Sequence, residues 1–425
     1  MQQNRQIKKP EPPPFYRWTI MVFVSFAMFG NYYIYDSISP LADLLARQLN
    51  FSDSNIGLLN GIYSLPNIFM VAIGGMIIDR LGTRKSSILF AVICFFGTGL
   101  TSLEGNLITM AAGRLVFGLG AESLIVAITT ILARWFKGKE LSFAFGLNLT
   151  LARLGSVAAL NSPTWAKIYY ENWQWPLIIS VGAGIVSVVA VIIYVGLENN
   201  VRKKYLIGGE GVSDRVEFKN IFKFNRSFWY ITLLCVTFYS AIFPFQTFAI
   251  KFFMEVHGTT REFGGFLSSQ LTLFAMLLTP LFGLLADKIG KRALLMMIGS
   301  IFIIPVYLIM NYTSINLLIP MALMGISFSL IPAVMWPSVA YIIEESRLGT
   351  AYGIMTMIQN IGLTGFNFLI GWANDFSGGY SLGMWIFSTL GFFGFFFAWL
   401  LRKRETGPYG HGLELSMVER KAQYG

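Results

Sequence analysis

GGMIIDRLGTRKSS (residues 74–87) and GLLADKIGKRALL (residues 283–295) each close an apolar run, and each can be laid over the other. Gly75, Asp79, Arg80, Gly82 and Arg84 then answer to Gly283, Asp287, Lys288, Gly290 and Arg292, an offset of 208 residues. A second pair repeats at offset 207: ELSFAFGLNLTLARLG (140–155) over RLGTAYGIMTMIQNIG (347–362), with Ala144, Gly146 and Gly155 on Ala351, Gly353 and Gly362. The chain is one unit written twice, which calls for two pseudo-symmetric halves.

Composition says what each half is made of. Of 425 residues, 55% are hydrophobic and 13% charged, whereas soluble domains carry about 25% charged residues. Apolar runs recur from Trp18 to Leu401, many near the roughly 20 residues that cross a bilayer core. Read as helices, they predict spans at 16–38, 55–78, 86–104, 108–135, 140–168, 173–197, 227–251, 263–285, 293–311, 315–343, 348–374 and 381–402. The expectation is an all-α polytopic membrane protein of twelve transmembrane helices in two six-helix lobes, 16–197 and 227–402. A cytosolic segment (1–15), a polar, basic linker (198–226) and a polar tail (403–425) complete it, and linker and tail hold no motif. The first run does not read as a cleaved signal: residues 1–14 are polar, end in PEPPP, and precede a stretch without a small-residue cleavage site. Cys94 and Cys235 lie in apolar runs and read as core filler.

A net charge of +10 could suggest nucleic acid, but its distribution does not. With both termini in the cytosol, 26 of the 32 Lys and Arg fall in cytosolic segments, four outside (Arg47, Lys167, Lys251, Arg261) and two within helices (Arg114, Arg153). Positive charge held inside is a topology signal, so the lipid bilayer is the expected partner and nucleic acid is not. In the doubled loop, Asp79 ends a helix and can cap the next one or pair with Arg across the lobe interface. Gly82 permits a tight turn, and Arg80 and Arg84 hold the loop at the cytosolic surface. Asp287, Lys288, Gly290 and Arg292 repeat the pattern. The two loops are expected to latch one conformation and release it in another.

Away from helix boundaries, three ionisable groups lie inside the spans: Arg114, Glu122 and Arg153. Each costs roughly 2.5–3.5 kcal/mol at a helix centre on insertion scales, so each is a functional hypothesis. At offset 207 they fall on Met321, Ser329 and Asn360, so the second half builds the same architecture without them. Glu122 is twelve residues from Arg134, and Arg153 is fourteen from Lys139, both at the cytosolic surface. At 1.5 Å per residue these are depths of roughly 18 and 21 Å, which allows a pair or a shared cavity. Three readings stand: a salt bridge locking the first lobe, two poles for a ligand, or a proton site at Glu122. A nearby Arg favours the charged carboxylate, which argues against an easy proton relay. Arg114, about two turns nearer the outside, can tune that acid or hold helix one.

The GxxxDRxGxRK loop, its copy after helix eight, and GRxxxGxG in helix four (Gly113, Arg114, Gly118, Gly120) resemble the major facilitator superfamily over the whole chain. More narrowly, GRLVFGLGAESLIVA, ARWFKGKELSFAFGL, LARLGS, AIFPF, RLGTAYG, IQNIGL and YSLPN resemble the major facilitator superfamily domain-containing protein 1 family, whose animal members are lysosomal exporters of dipeptides. The resemblance implies a carrier working by alternating access. The family's acid, in a GxGGESLAVA-type sequence, and its arginine, in an ARxGS stretch, fall on Glu122 and Arg153; Ala121 stands where the family has glycine. A dipeptide is a zwitterion: an Arg fork suits its carboxylate, and a carboxylate suits its ammonium. A bound zwitterion neutralises both buried charges. The short N-terminus holds no acidic dileucine signal, so the expected location is the plasma (cell inner) membrane rather than the lysosome. A monomer is expected, which need not share the relatives' accessory membrane subunit.

In carriers of this superfamily helices one, four, seven and ten line the cavity, flanked by two, five, eight and eleven. That implies Tyr35, Tyr63, Asn67, Tyr239, Phe243, Gln246, Trp336, Gln359 and Asn360 for its wall. Aromatic walls with a few polar groups suit a ligand whose side chains vary. Pro244 and Pro337 are expected to break helices seven and ten near the cavity. An enzyme finds little support: there is no HExxH or GxSxG, no metal-ligand set and no cofactor motif, and His257 and His411 fall in a loop and in the tail. A receptor on the same scaffold would want an appended cytosolic domain. The expectation is a dipeptide carrier, facilitative with weak or no ion coupling. The alternative is a proton-coupled symporter of small organic anions with Glu122 as its proton site.

Overall fold

The computed structural model describes residues 10, 12–136, 140–205, 224–344, 347–416 and 419. Most of the expected linker, the first nine residues, Lys139 and the end of the tail lie outside the described residues. Among the described residues, ten helices are long and apolar enough to cross a membrane. One of them, Asp53–Leu103, is two spans joined at Gly82, which takes φ 76° and ψ 158°, a conformation open to glycine and strained for other residues. Pro14–Asp36 adds a helix of 23 residues. The twelve spans are α1 (Pro14–Asp36), α2 (53–81), α3 (83–103), α4 (Leu107–Phe136), α5 (Leu141–Leu160), α6 (Gln174–Lys204), α7 (Arg226–His257), α8 (Arg261–Ile289), α9 (Arg292–Tyr312), α10 (Leu318–Ile342), α11 (Leu348–Ser377) and α12 (Ser381–Glu405).

Several helix ends differ from expectation, each with a local cause. α5 stops at Leu160, eight residues before 168, because Pro163 cannot continue the backbone ladder; two short outer helices, Ser162–Trp165 and Lys167–Glu171, follow it. α6 continues to Lys204, past the expected end at 197. α7 and α10 remain helical through Pro244 and Pro337, so the expected breaks do not occur. Beside Pro244, Tyr307 Oη donates to Ala241 O at 2.7 Å, side-chain support of the kind that lets membrane helices carry proline. His257 is the last residue of α7 rather than a loop residue. Side-chain caps start α2 (Ser52), α7 (Asn225) and α8 (Thr260).

The sequence repeat is visible as packing. A Cβ on Gly155 of α5 would lie 2.2 Å from Phe29 O of α1, and one on Gly362 of α11 would lie 2.7 Å from Ser240 Oγ of α7. The same small residue thus brings the same pair of helices together in both halves.

The lobes meet at the ends expected to lie on the outer side. Lys251 pairs with Asp53, Arg261 with Asp43 at 2.5 Å, and Lys167 with Glu262 at 2.6 Å, each pair joining one lobe to the other. Arg47 also pairs with Asp43. The four cations that stood outside the positive-inside count are therefore all engaged by acids. Asn374 Nδ2 donates to Asp53 at 2.9 Å, and the Asp375 carboxylate accepts from the Asp53 and Ser54 N–H groups at 2.9 and 2.8 Å. The end of α11 thereby caps α2 from the opposite lobe. One buried apolar cluster crosses at the same level, running from the second lobe into Ile38, Leu41, Leu45, Phe51, Ile56 and Leu59 of the first. The rest of the first lobe has its own cluster, with Ile20, Phe90, Leu124, Ile128 and Phe136.

At the opposite ends, those expected to be cytosolic, charges pair within their own lobe. Glu198 was expected to open the linker; it belongs to α6, is fully buried, and accepts from Arg134 at 2.5 Å, Tyr194 at 2.6 Å, Arg202 at 2.9 Å and Trp135 at 3.2 Å. Glu405, 207 residues later, is its counterpart in α12 and accepts from Ser227 Oγ at 2.6 Å and His411 N at 2.7 Å. The tail, unremarkable in sequence, folds back over the α8–α9 loop. Arg292 N donates to Leu413 O at 3.0 Å, and Glu414 accepts from Ala293 N and Leu294 N at 2.8 and 3.3 Å.

Candidate functional site

Below the outer seal, both lobes contribute to a cavity of about 250 Å³. α1 supplies Asn31, Tyr32 and Tyr35, α2 Tyr63, α4 Glu122 and Ile125, and α5 Arg153; α7 supplies Tyr239 and Phe243, α10 Trp336, and α11 Thr356, Gln359, Asn360 and Leu363. Glu122 and Arg153, placed at similar depth by residue counting, therefore share one cavity. Among the described residues no ion pair joins them. Tyr63 Oη donates to Glu122 Oε1 at 3.4 Å, a long bond. The Arg153 guanidinium instead lies 5.0 Å from the Tyr32 ring and 6.0 Å from the Phe328 ring, one from each lobe. Both charged groups are only partly buried and keep hydrogen-bonding capacity directed at the cavity.

The aromatic wall is itself ordered. Trp336 Nε1 donates to Tyr239 Oη at 3.0 Å, and Tyr352 Oη donates to Trp336 O at 3.1 Å. Tyr239 stacks on Phe243 at 5.6 Å, and Tyr35 meets Tyr63 edge-on at 4.9 Å. Tyr35 and Phe243 touch edge to face across the lobe boundary at 6.2 Å. Beyond that contact, toward the outer seal, lies a small void lined by Tyr35, Asp36, Ser39, Asn60, Phe243, Gln246 and Thr247. The two rings form the roof of the main cavity.

Two expected wall residues stand elsewhere. Gln246 lines the small outer void, and its backbone carbonyl accepts from Ser39 Oγ at 2.5 Å. Asn67 is fully buried outside the cavity lining, and among the described residues neither of its amide atoms has a hydrogen-bond partner. Tyr35, Tyr63, Tyr239, Phe243, Trp336, Gln359 and Asn360 all line the cavity. Asn31, Tyr32, Ile125, Thr356 and Leu363 were not anticipated. Helical spacing could have found most of them: Thr356 and Leu363 flank Gln359 at i−3 and i+4, and Asn31 precedes Tyr35 by four.

Arg114 resolves as a strut. It is 1% exposed and donates to Leu59 O at 3.2 Å, Ile34 O at 3.1 Å, Tyr35 O at 3.2 Å and Asn60 Oδ1 at 3.0 Å. Its guanidinium also lies over the rings of Tyr63 and Phe117. It binds α1 and α2 to α4 and fixes the backbone that carries Tyr35. In the doubled loop, Arg84 bonds Asn199 and lies 3.8 Å from Glu198, while Arg80 faces a cytosolic cleft beside it. In the second copy Arg292 is 2% exposed, pairs with Asp287 at 2.5 Å and bonds Tyr341 Oη at 3.3 Å. Gly290, at φ 66°, lets the tail pass so closely that a Cβ would fall 2.2 Å from Leu415 O. Lys288 is exposed.

Residues 23–269 and 245–417 match the family model described as Major Facilitator Superfamily. The chain is 32% identical over 365 residues to the lysosomal dipeptide transporter MFSD1 of Danio rerio, covering 82% of this chain and 78% of that protein. It is 32% identical over 377 residues to the Homo sapiens protein of the same name, covering 85% and 81%. Among solved structures it is similar to the nucleoside transporter NupG (TM-score 0.73, 12% identity, 91% and 98% covered). It is also similar to a bacterial homologue of the human lysosomal transporter Spinster in an inward-facing, occupied conformation (TM-score 0.71, 16% identity, 92% and 98% covered). These two likenesses speak to the fold. The expected plasma-membrane location is corrected by the MFSD1 relatives, which are named lysosomal transporters; a missing dileucine signal in the N-terminus is too weak a feature to weigh against them.

Proposed function

The chain belongs to the major facilitator superfamily and is an MFSD1-like membrane transporter; from that premise we propose that it carries dipeptides by alternating access, as a facilitative carrier with weak or no ion coupling. One observation carries the reading: Glu122 and Arg153 line the same cavity, yet each is left without the other as partner. Two opposite charges that are partly buried and do not pair are left poorly compensated. A zwitterion of matching length relieves both, with its ammonium at Glu122 and its carboxylate on the Arg153 fork. The aromatic surround from both lobes supports tolerance of varied side chains. The names of the relatives point to the same substrate class.

Transport follows if closing the lobes around the zwitterion at one end releases the seal at the other. The outer pairs Asp53–Lys251 and Asp43–Arg261 hold the present state, and substrate reaches or leaves the cavity from the cytosolic side. The test is dipeptide flux in vesicles reconstituted with purified protein. Glu122→Gln and Arg153→Ala should each reduce flux roughly ten- to a hundredfold, the loss of one charge-assisted hydrogen bond or pair. N-acetylating the substrate should cripple the wild type but cost Glu122→Gln little more. Normal dipeptide flux in either folded variant sinks the two-pole reading. An imposed pH gradient should drive little or no accumulation above equilibrium.

A further inference from the structure

Among the described residues around the loop joining α2 to α3, cations outnumber acids. Arg80, Arg84 and Lys85 come from the loop, Arg134 ends α4, and Arg202, Lys203 and Lys204 end α6. Among the described residues of this loop and these helix ends, Asp79 and Glu198 stand against these seven, and Glu198 is already shared by Arg134, Tyr194, Trp135 and Arg202. Arg80, Arg84 and Lys85 face a cleft of about 400 Å³, whose other walls are Leu81, Gly82, Ile88, Val195 and Asn199. Among the described residues, Arg80 and Lys85 form no ion pair, and Arg84 reaches its nearest acid only at 3.8 Å.

The cleft is cationic on one side and apolar on the other. Val189, Ile192, Val195 and Asn199 recur at three- and four-residue spacing, one face of α6. Val189 and Ile192 are 47% and 52% exposed, so the apolar wall continues from the cleft onto the lipid-facing surface. A free phosphate would use the cations and leave this wall idle. We propose that the cleft binds an anionic phospholipid of the cytosolic leaflet, its phosphate held by Arg80, Arg84 and Lys85 and an acyl chain lying along Val189, Ile192 and Val195. Basic recesses between helices at the cytosolic surface bind such headgroups through charge-assisted bonds. Bound lipid supplies an acceptor for Arg80 and Lys85 and ties the α2–α3 loop to α6.

The experiment uses the full chain, purified in detergent, with phosphatidylserine, phosphatidylcholine or inorganic phosphate added. Bound lipid is counted by native mass spectrometry and stabilisation is read from thermal unfolding. Phosphatidylserine should bind and raise the melting temperature, and phosphatidylcholine should do neither. Arg80→Gln with Lys85→Gln should weaken phosphatidylserine binding roughly thirtyfold, and Lys85→Gln alone roughly fivefold, from about 1 kcal/mol per cation near the surface. Lys85 is exposed, so the single variant keeps the test decisive if the double variant fails to fold. Equal binding of both lipids, or unchanged phosphatidylserine binding in the single variant, overturns the proposal. Stabilisation by inorganic phosphate as large as that by phosphatidylserine also overturns it, because the site would then be one for a free anion.

Discussion

The outer and cytosolic ends of this molecule use the same chemistry in opposite ways. At the outer end Asp43, Asp53 and Glu262 find their cations in the other lobe. At the cytosolic end Glu198, Glu405 and Asp287 find their partners within their own lobe. Outer pairs therefore hold the lobes together, and inner clusters hold each lobe together. Rocking has to break the first kind and can leave the second intact. The doubled loop, whose charges looked in sequence like an inter-lobe latch, has Arg84 and Arg292 engaged at home.

The sharpest way to break this comparison is at Glu198. The Arg134 side chain is 3% exposed and its guanidinium donates to that carboxylate at 2.5 Å. Glu198→Gln removes a buried carboxylate that accepts from Arg134, Arg202, Tyr194 and Trp135 and should destabilise the protein by about 3–5 kcal/mol, read as loss of thermal or denaturant resistance. It should not change how often the outer side opens. Asp53→Asn should do the reverse, with a smaller effect. It removes a partner of Lys251 and an acceptor for Asn374 that lie in the other lobe. The coupling lost should be about 1–3 kcal/mol, a shift of roughly five- to 150-fold toward outer-open states. A cysteine placed at Gln246, in the void beneath the seal, reports this as faster labelling by an impermeant thiol reagent from outside. If Glu198→Gln speeds that labelling and Asp53→Asn does not, the division between seal and strut is wrong.

What could be read in the sequence follows the same division. The twelve spans and the twofold plan were legible because hydrophobic runs and glycine spacing repeat locally. Glu122 and Arg153 were legible because an ion in an apolar run stands out and the repeat offers Ser329 and Asn360 as controls. Asp43 and Asp53 were not. They sit in loop-like segments where acids are ordinary, and their partners are 218 and 198 residues away. Glu198 was hidden for another reason: it borders a basic stretch that reads as linker, and only the reach of the Arg134 and Trp135 side chains from α4 makes it a hub. Arg47, Lys167, Lys251 and Arg261 were the available clue, since cations on the wrong side of a topology rule need a partner.

The smallest effect is expected where the tail meets the second lobe. Burial pushes the Glu414 carboxyl above the usual range, against the lowering influence of the Ala293 and Leu294 N–H groups and of Arg402. A carboxyl with a raised value binds its proton more tightly docked than free, so acid favours docking. That gain is complete below the free-chain value and is lost as pH rises through the docked one. At neutral pH Glu414→Gln should therefore dock slightly better: its amide oxygen still accepts from Ala293 N, and the buried charge is gone. Against this stands the pair with Arg402 at 3.6 Å, whose side chain is 41% exposed and so contributes little. Exchange of the Arg292 amide, which donates to Leu413 O, should slow roughly twofold in the variant and lose its acid dependence. Faster exchange would mean that the Arg402 pair outweighs burial, and that the tail is held by charge, as the outer seal is, instead of by backbone.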